Sequence, residues 1–192
     1  MKKFNIYNEK FIVRKTYSIK LPKNIIILTD NNYYYIKNGL NKIAFLKVKN
    51  ILLVKENNKI FLTVKSFKNP WDKSNELNKL KFIFKLFSNV IIGLSIGFFS
   101  QLECKGLGFK AKVKQKFLIL NLGFSHKLKF EIPKDIIVFC SKTNIIVFFG
   151  TNKQKLFEFM NKIRSYKKPD KYKGKGLKFK SEILKLKEGK NL

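Results

Sequence analysis

Leu21-Pro-Lys-Asn-Ile-Ile-Ile-Leu28 is echoed 111 residues later by Ile132-Pro-Lys-Asp-Ile-Ile-Val-Phe139. Each copy runs through a polar turn, Thr29 to Asn32 or Cys140 to Asn144. Each then enters an apolar run, Tyr33 to Ile36 or Ile145 to Phe149, and ends on Gly39 or Gly150. An X-Pro pair favours extended backbone just before the proline, and two apolar β-branched or aromatic runs around a polar turn read as a hairpin. Matched proline, lysine, turn and terminal glycine in one register predict two copies of that hairpin, and hence a duplicated small α+β unit.

Working outward from the hairpins, most of the remainder reads as strand. Lys42 to Val54 and Ile60 to Val64 are separated by a Lys-Glu-Asn-Asn-Lys turn, and Phe117 to Leu122 and Lys127 to Ile132 are further strands. Gly106 and Gly108 mark a bulge or a close backbone approach. Leu77, Leu80, Phe84, Phe87 and Ile91 have helical spacing, which predicts a helix over Leu77 to Val90 with Ser74 as its cap. A second helix is predicted over Asn152 to Tyr166. Leu156, Phe159, Met160 and Ile163 fall on one face, Asn152 caps it and Pro169 follows its end. A linker near Gly93 to Ser100 joins the halves. The expected organisation is an N-terminal extension over 1–13, a first α+β domain over 14–92, a second over 93–168 and a basic arm over 169–192. Each domain is expected to be a small antiparallel sheet packed with one helix.

Composition narrows the function. Of 192 residues 45% are hydrophobic, enough for a core. Lys and Arg total 42 against 12 Asp and Glu, a net charge of +30, and the only arginines are Arg14 and Arg164. Uncompensated charge of that size opposes compaction unless a polyanion neutralises it, so nucleic acid is the first partner to consider and an anionic membrane surface the second. Leu86 to Leu102 carries no charge, with Lys85 and Glu103 just outside it. As a membrane span it reaches only the lower limit of length, and it reads better as a helix end, a glycine-marked turn and a strand start. The lysine-, asparagine-, isoleucine- and phenylalanine-rich composition matches AT-rich coding, and the N-terminus has neither a signal peptide pattern nor an amphipathic presequence. Synthesis inside a mitochondrion is therefore expected, with a plastid or an AT-rich bacterium as alternatives.

Catalysis finds no support. Ser125 and His126 are neighbours, which on a strand point to opposite faces, and no carboxylates pair at an acid–base spacing. No P-loop or dinucleotide glycine pattern occurs, and Cys104 and Cys140 are too few and too distant for a zinc pattern. Neither an enzyme nor a metal or cofactor is expected. The tail carries chemistry of another kind. Pro169-Asp-Lys-Tyr172-Lys173-Gly174-Lys175-Gly176-Leu-Lys178-Phe179 sets one tyrosine and two glycines among lysines. A solvated lysine run would account for the charge but not for this order. Positive charge, close backbone approach and a stacking ring are what a phosphate backbone requires.

These motifs resemble the sixth-protein family of the large ribosomal subunit. The family's tail has the form Pro-Glu-Pro-Tyr-Lys-Gly-Lys-Gly; its Leu-Gly-Tyr/Phe-Ser-His motif matches Leu122 to His126, and its two-glycine strand with a basic–alanine pair matches Gly106 to Ala111. Its helix start and end match Asn152-Lys153-Gln154 and Ile163-Arg164, and order and spacing agree from about Leu77 to the C-terminus. Lys127 and Lys171 stand where the family usually has prolines. The resemblance implies two tandem α+β domains, an architectural role and no reaction. It implies binding of large-subunit rRNA near the sarcin–ricin loop and stalk base, among neighbouring ribosomal proteins, with translation GTPases docking nearby. The residues expected to face RNA are Pro169, Tyr172, Lys173, Gly174, Lys175, Gly176 and Lys178 of the arm, then Ser125, His126 and Lys127, then Lys105 and Lys153.

Overall fold

The structure is a computed structural model that describes residues 16–39, 41–47, 51–56, 58–64, 72–142 and 144–189. The expected N-terminal extension lies outside the described residues. The chain divides between Ser95 and Ile96 into two compact units. The first holds strands β1 (Thr16–Lys20), β2 (Ile26–Thr29), β3 (Tyr33–Asn38), β4 (Asn41–Leu46), β5 (Ile51–Glu56) and β6 (Lys59–Val64), then helix α1 (Asp72–Ser95). The second holds β7 (Phe98–Lys105), β8 (Lys110–Lys114), β9 (Phe117–Asn121), β10 (Leu128–Glu131), β11 (Ile136–Lys142) and β12 (Ile145–Gly150), then α2 (Lys153–Tyr166) and β13 (Gly176–Phe179). The fold is α+β, as expected, but each unit has two sheets and not one. Their orders are β1-β6-β5 and β2-β3-β4 in the first unit, and β11-β12-β7-β13 and β10-β9-β8 in the second.

One small rule generates both units. The strands form four modules, each a single strand followed by a hairpin: β1 with β2–β3, β4 with β5–β6, β7 with β8–β9, and β10 with β11–β12. Within a unit the single strand of each module pairs antiparallel with the second hairpin strand of the other, β1 with β6, β4 with β3, β7 with β12 and β10 with β9. Near the end of its pairing, each single strand donates an N–H to the carbonyl closing the partner hairpin's turn. The four bonds are Leu21 to Asn58 at 2.7 Å, Lys47 to Asn32 at 2.8 Å, Cys104 to Asn144 at 2.7 Å and Ile132 to Lys116 at 2.8 Å. A backbone N–H leaving a sheet must find an acceptor, and the turn carbonyl is the nearest one free of its own ladder.

This rule corrects the meaning of the sequence echo. Its two copies are the first module and the fourth, the front of one unit and the back of the other, whereas tandem order makes β1 equivalent to β7. The echoed proline turns are nonetheless alike: Ile25 N–H donates to Pro22 O at 3.1 Å and Ile136 N–H to Pro133 O at 3.0 Å. The echo therefore marks a recurring module within the duplication.

Other boundaries also move. Helix α1 begins at Asp72, two residues before Ser74, and continues through Gly93 to Ser95. The apolar face itself runs on past the periodic stretch, to Leu94 in the last turn. Near its end the Asn38 side-chain amide donates to the Leu94 carbonyl at 2.5 Å, giving an otherwise orphaned last-turn acceptor a partner. The expected linker shrinks to Ile96 and Gly97. Gly97 has φ +83, and a Cβ there would lie 2.3 Å from the Phe149 ring, so a side chain in the turn into β7 would be strained and would have to displace that ring. The charge-free stretch 86–102 is thus helix, turn and strand in succession, and no helix among the described residues is long and apolar enough to cross a membrane. The run Lys42 to Val54 is two strands, β4 in one sheet and β5 in the other. Gly106 and Gly108 form the β7–β8 turn, with a close approach at Gly106, whose Cβ would meet the Phe109 ring at 2.8 Å.

Each helix presents its apolar face to the sheets, Leu80, Phe87, Ile91 and Leu94 from α1 and the four residues expected from α2. Burying each such side chain contributes roughly 1.5–3 kcal/mol. The second core also takes in Leu177 of β13, so the basic tail is anchored in the same apolar cluster as Leu102, Phe148 and Met160. At the N-terminus of α2 the Asn152 side chain accepts from the N–H groups of Gln154 at 3.0 Å and Lys155 at 3.2 Å, as the sequence indicates. Asn152→Ala should cost about 1 kcal/mol, read as faster hydrogen exchange in the first turns of α2; unchanged exchange would show that the cap holds nothing.

Candidate nucleic-acid interface

The tail folds back on the second unit and is not a loose arm. Asp170 organises it. Its N–H donates to Lys175 O at 2.9 Å, and Gly174 N–H donates to Asp170 O at 3.0 Å, closing a tight turn. Its carboxylate accepts from Tyr172 N–H at 3.2 Å and Lys173 N–H at 3.0 Å. The Lys173 N–H first, then that of Tyr172, hold the Asp170 carboxyl below its ordinary range. One carboxylate is thereby spent on backbone, and the side chains of Lys171, Tyr172, Lys173 and Lys175 are left exposed.

Strand β13 and the segment after it fasten the turn to the sheet. β13 pairs with β7 so that Gly176 faces Lys105 and Lys178 faces Glu103. Leu177 N–H donates to Lys167 O at 2.8 Å, and further on Lys187 N–H donates to Lys171 O at 2.9 Å. Arg164 of α2 reaches Glu182 at 2.6 Å and lies 5.2 Å from the Phe179 ring centroid, while Glu182 also accepts the Phe179 N–H at 3.3 Å.

Both glycines of the turn are buried. Gly176 has φ +143, and a Cβ there would stand 2.6 Å from Lys168 O and 2.7 Å from Pro169 Cα. Gly174 has φ +67, and its Cβ would approach Leu186 at 3.3 Å and the Lys105 ammonium at 3.7 Å. Sequence reasoning attributes these glycines to close approach by phosphate. In the folded chain their identity is demanded by the protein's own backbone and side chains.

The structure brings most of the expected residues to one end of the second unit. Lys105 lies beside Gly174 and opens the β7–β8 turn. The Phe109 ring of that turn lies against Gly106 and 3.3 Å from where a Cβ of Gly123 would be, which ties it to the loop carrying Ser125, His126 and Lys127. That loop meets the end of α2, because Lys167 Nζ is 4.9 Å from the Phe124 ring centroid and Phe124 stacks on His126 at 6.3 Å. Ser125, His126 and Lys127 are all exposed. Pro169 is half-buried where the chain leaves the helix for the turn.

Two expected residues stand apart. Lys178 is 3.2 Å from the Glu103 carboxylate, with its side chain only 20% exposed, so its charge is answered within the protein. Lys153 begins α2, next to Phe98 at a distance of 5.7 Å from the ring centroid. A 14-residue helix spans roughly 21 Å, which separates Lys153 from the turn at the other end. Sequence reasoning missed Asp170 and the Arg164–Glu182 pair as organisers. An acid two residues before exposed N–H groups, in a lysine run, was the available signal.

Among the described residues no cluster of three or more His, Cys, Asp or Glu side chains could hold a metal ion. Cys104 and Cys140 are free, and burial, with smaller contributions from Cys140 and Glu103, pushes the Cys104 thiol up to about 12, so it stays protonated.

Comparison with known proteins finds a matching family model and relatives along most of the chain. The family model described as ribosomal protein L6 matches residues 105–180. The chain is 38% identical over 175 residues to the large ribosomal subunit protein uL6m of Reclinomonas americana, covering 90% of this chain and 95% of that protein. It is 32% identical to uL6 of Thermosipho melanesiensis, again with 90% and 95% covered, and 34% identical to uL6c of Arabidopsis thaliana, with 90% and 75% covered.

Gly176→Ala should lose on the order of 2 kcal/mol locally, seen as roughly 30-fold faster exchange of the β13 amides; wild-type exchange would show that the close approach is relaxed. Because the Asp170 carboxyl is held low in the folded turn, its contribution is fully present above the ordinary carboxylate value and is lost as pH falls through the lowered one. The Lys173 amide resonance should therefore titrate with a midpoint below 3.8. A midpoint at or above that value would contradict the turn geometry.

Proposed function

Since the chain belongs to the ribosomal protein L6 family and is thus a structural constituent of the large ribosomal subunit, not an enzyme, we propose that the Asp170-organised turn is its principal contact with large-subunit rRNA. The observation that carries this reading is the inward use of one acid to hold an outward row of bases. Asp170 fixes the backbone, and Lys171, Tyr172, Lys173 and Lys175 project from it with their polar ends free for a ligand. Lysine ammonium groups neutralise phosphates as point charges, and the tyrosine ring offers a face for a base or sugar. The turn is preorganised, so little ordering entropy is lost on binding. Gly174 and Gly176 belong to the interface as the residues that shape it.

Lys105, Ser125, His126 and Lys127 extend the contact along the same end of the unit. Lys178 acts on the turn through Glu103, and Lys153 would meet a different part of the RNA. In this reading the contact lies near the sarcin–ricin loop and the stalk base, where translation GTPases dock; the resemblance to the family supports it. Similarity to uL6m, together with the AT-rich coding bias, supports a mitochondrial ribosome over a plastid or bacterial one.

Changing Lys173 and Lys175 together to Ala should weaken binding to large-subunit rRNA and flatten the dependence of log K on log salt by roughly 1.4–1.8, two phosphate contacts' worth. The measurement is filter binding over a salt series. An unaltered slope would remove these lysines from the interface.

A further inference from the structure

We propose that the outer face of the β10-β9-β8 sheet is a second RNA-backbone track, separate from the turn; this rests on the reading that the chain binds rRNA. The sequence Lys110-Ala-Lys112-Val-Lys114 alternates with strand period, and the structure obeys it. Ala111 is buried and Val113 half-buried, while all three lysines are exposed. Successive lysines on that face stand about 6.8 Å apart along the strand, a spacing that consecutive phosphates of one RNA strand can meet. Across the sheet, Lys110 is paired with Asn121, Lys112 with Ile119 and Lys114 with Phe117, and Lys129 of β10 flanks Ile119 on its other side.

These side chains enclose a shallow cleft of about 280 Å³ lined by Lys110, Lys112, Lys114, Ile119, Asn121 and Lys127. Four ammonium groups and no carboxylate line it. Among the described residues none of the four has an ion-pair partner, in contrast to Lys155 and Lys178 on the other elements of the unit. The single acid of the face, Glu131, lies at its far end, paired across from Phe117. Three like charges on one strand and a fourth on the adjoining loop repel one another, a cost that a bound polyanion removes.

The occupant is RNA and not an acidic protein segment because the cleft opens through Lys127 onto the loop that joins the turn. One RNA strand can pass from the Tyr172 turn across His126 and Lys127 onto the sheet. Ile119 is the one apolar residue lining the cleft; the rest of its apolar surface is lysine stem, which a folded protein partner could bury only by desolvating the ammonium ends.

The test uses the full chain and a transcript of the large-subunit rRNA. Lys112→Gln with Lys114→Gln changes two exposed side chains and leaves the buried face untouched. This pair should flatten the salt slope by roughly 1.4–1.8, and Lys112→Arg with Lys114→Arg should restore it. Lys173→Gln with Lys175→Gln, run in parallel, reports on the turn. A slope flattened by the turn variant but not by the sheet variant overturns the track and leaves the turn standing. A slope unmoved by either overturns both. A sheet variant that keeps its RNA slope but loses an acidic ribosomal protein from the assembled subunit assigns the face to protein and likewise overturns the track.

Discussion

The contact on which the interface depends is the passage of Gly176 across Lys168 and Pro169. With a built Cβ only 2.6 Å from a carbonyl oxygen, no side chain fits there, and the chain is committed to entering β13 at that point. The rest of the interface is built on that commitment. β13 pairs with β7, Leu177 enters the core, and the residues between Pro169 and Gly176 must close as a turn whose ends are fixed. The lysines of the turn therefore stand on backbone that is hydrogen-bonded to itself and tied to the sheet at β13.

Charge is managed by the same economy. A chain with net charge +30 has few acids, and four of those described in the second unit act as fasteners. Asp170 holds the turn, Glu182 ties Arg164 to the tail, Glu103 takes Lys178 and Asp135 takes Lys155 at 2.7 Å. Pairs as exposed as Asp135 with Lys155 contribute little stability; their value is in direction. Once the acids have oriented the backbone, the lysines of the turn and of the β8 face are left for an external partner.

The α2 helix, its Asn152 cap and its buried face were legible in the sequence because apolar spacing and cap chemistry are local. So were the proline hairpins. The exchange of single strands between modules was not, since it is set by pairings distant along the chain. That is why an echo between the first and fourth modules read as a simple domain repeat. The end of α1 and the helix-to-strand turn were misplaced because Gly93 and Gly97 look equivalent in sequence; only Gly97 needs positive φ against Phe149. In the candidate site, Tyr172, Lys173 and Lys175 stood out by composition. The glycines stood out too, but for a reason the fold revises: their neighbours in space are Leu186, Lys105 and Lys168, none adjacent in sequence. Lys153 was a candidate beside the turn residues although its motif already set it at the start of α2; the length of that helix is what keeps it away from the turn.

A density map of the large subunit from the cells that make this chain tests the central claim most directly. The account predicts the ammonium groups of Lys173 and Lys175 at about 2.7–3 Å from rRNA phosphate oxygens, with the Tyr172 ring against the RNA and the Asp170 turn closed as described. A turn facing open solvent, or packed on protein with no phosphate in reach, would contradict it.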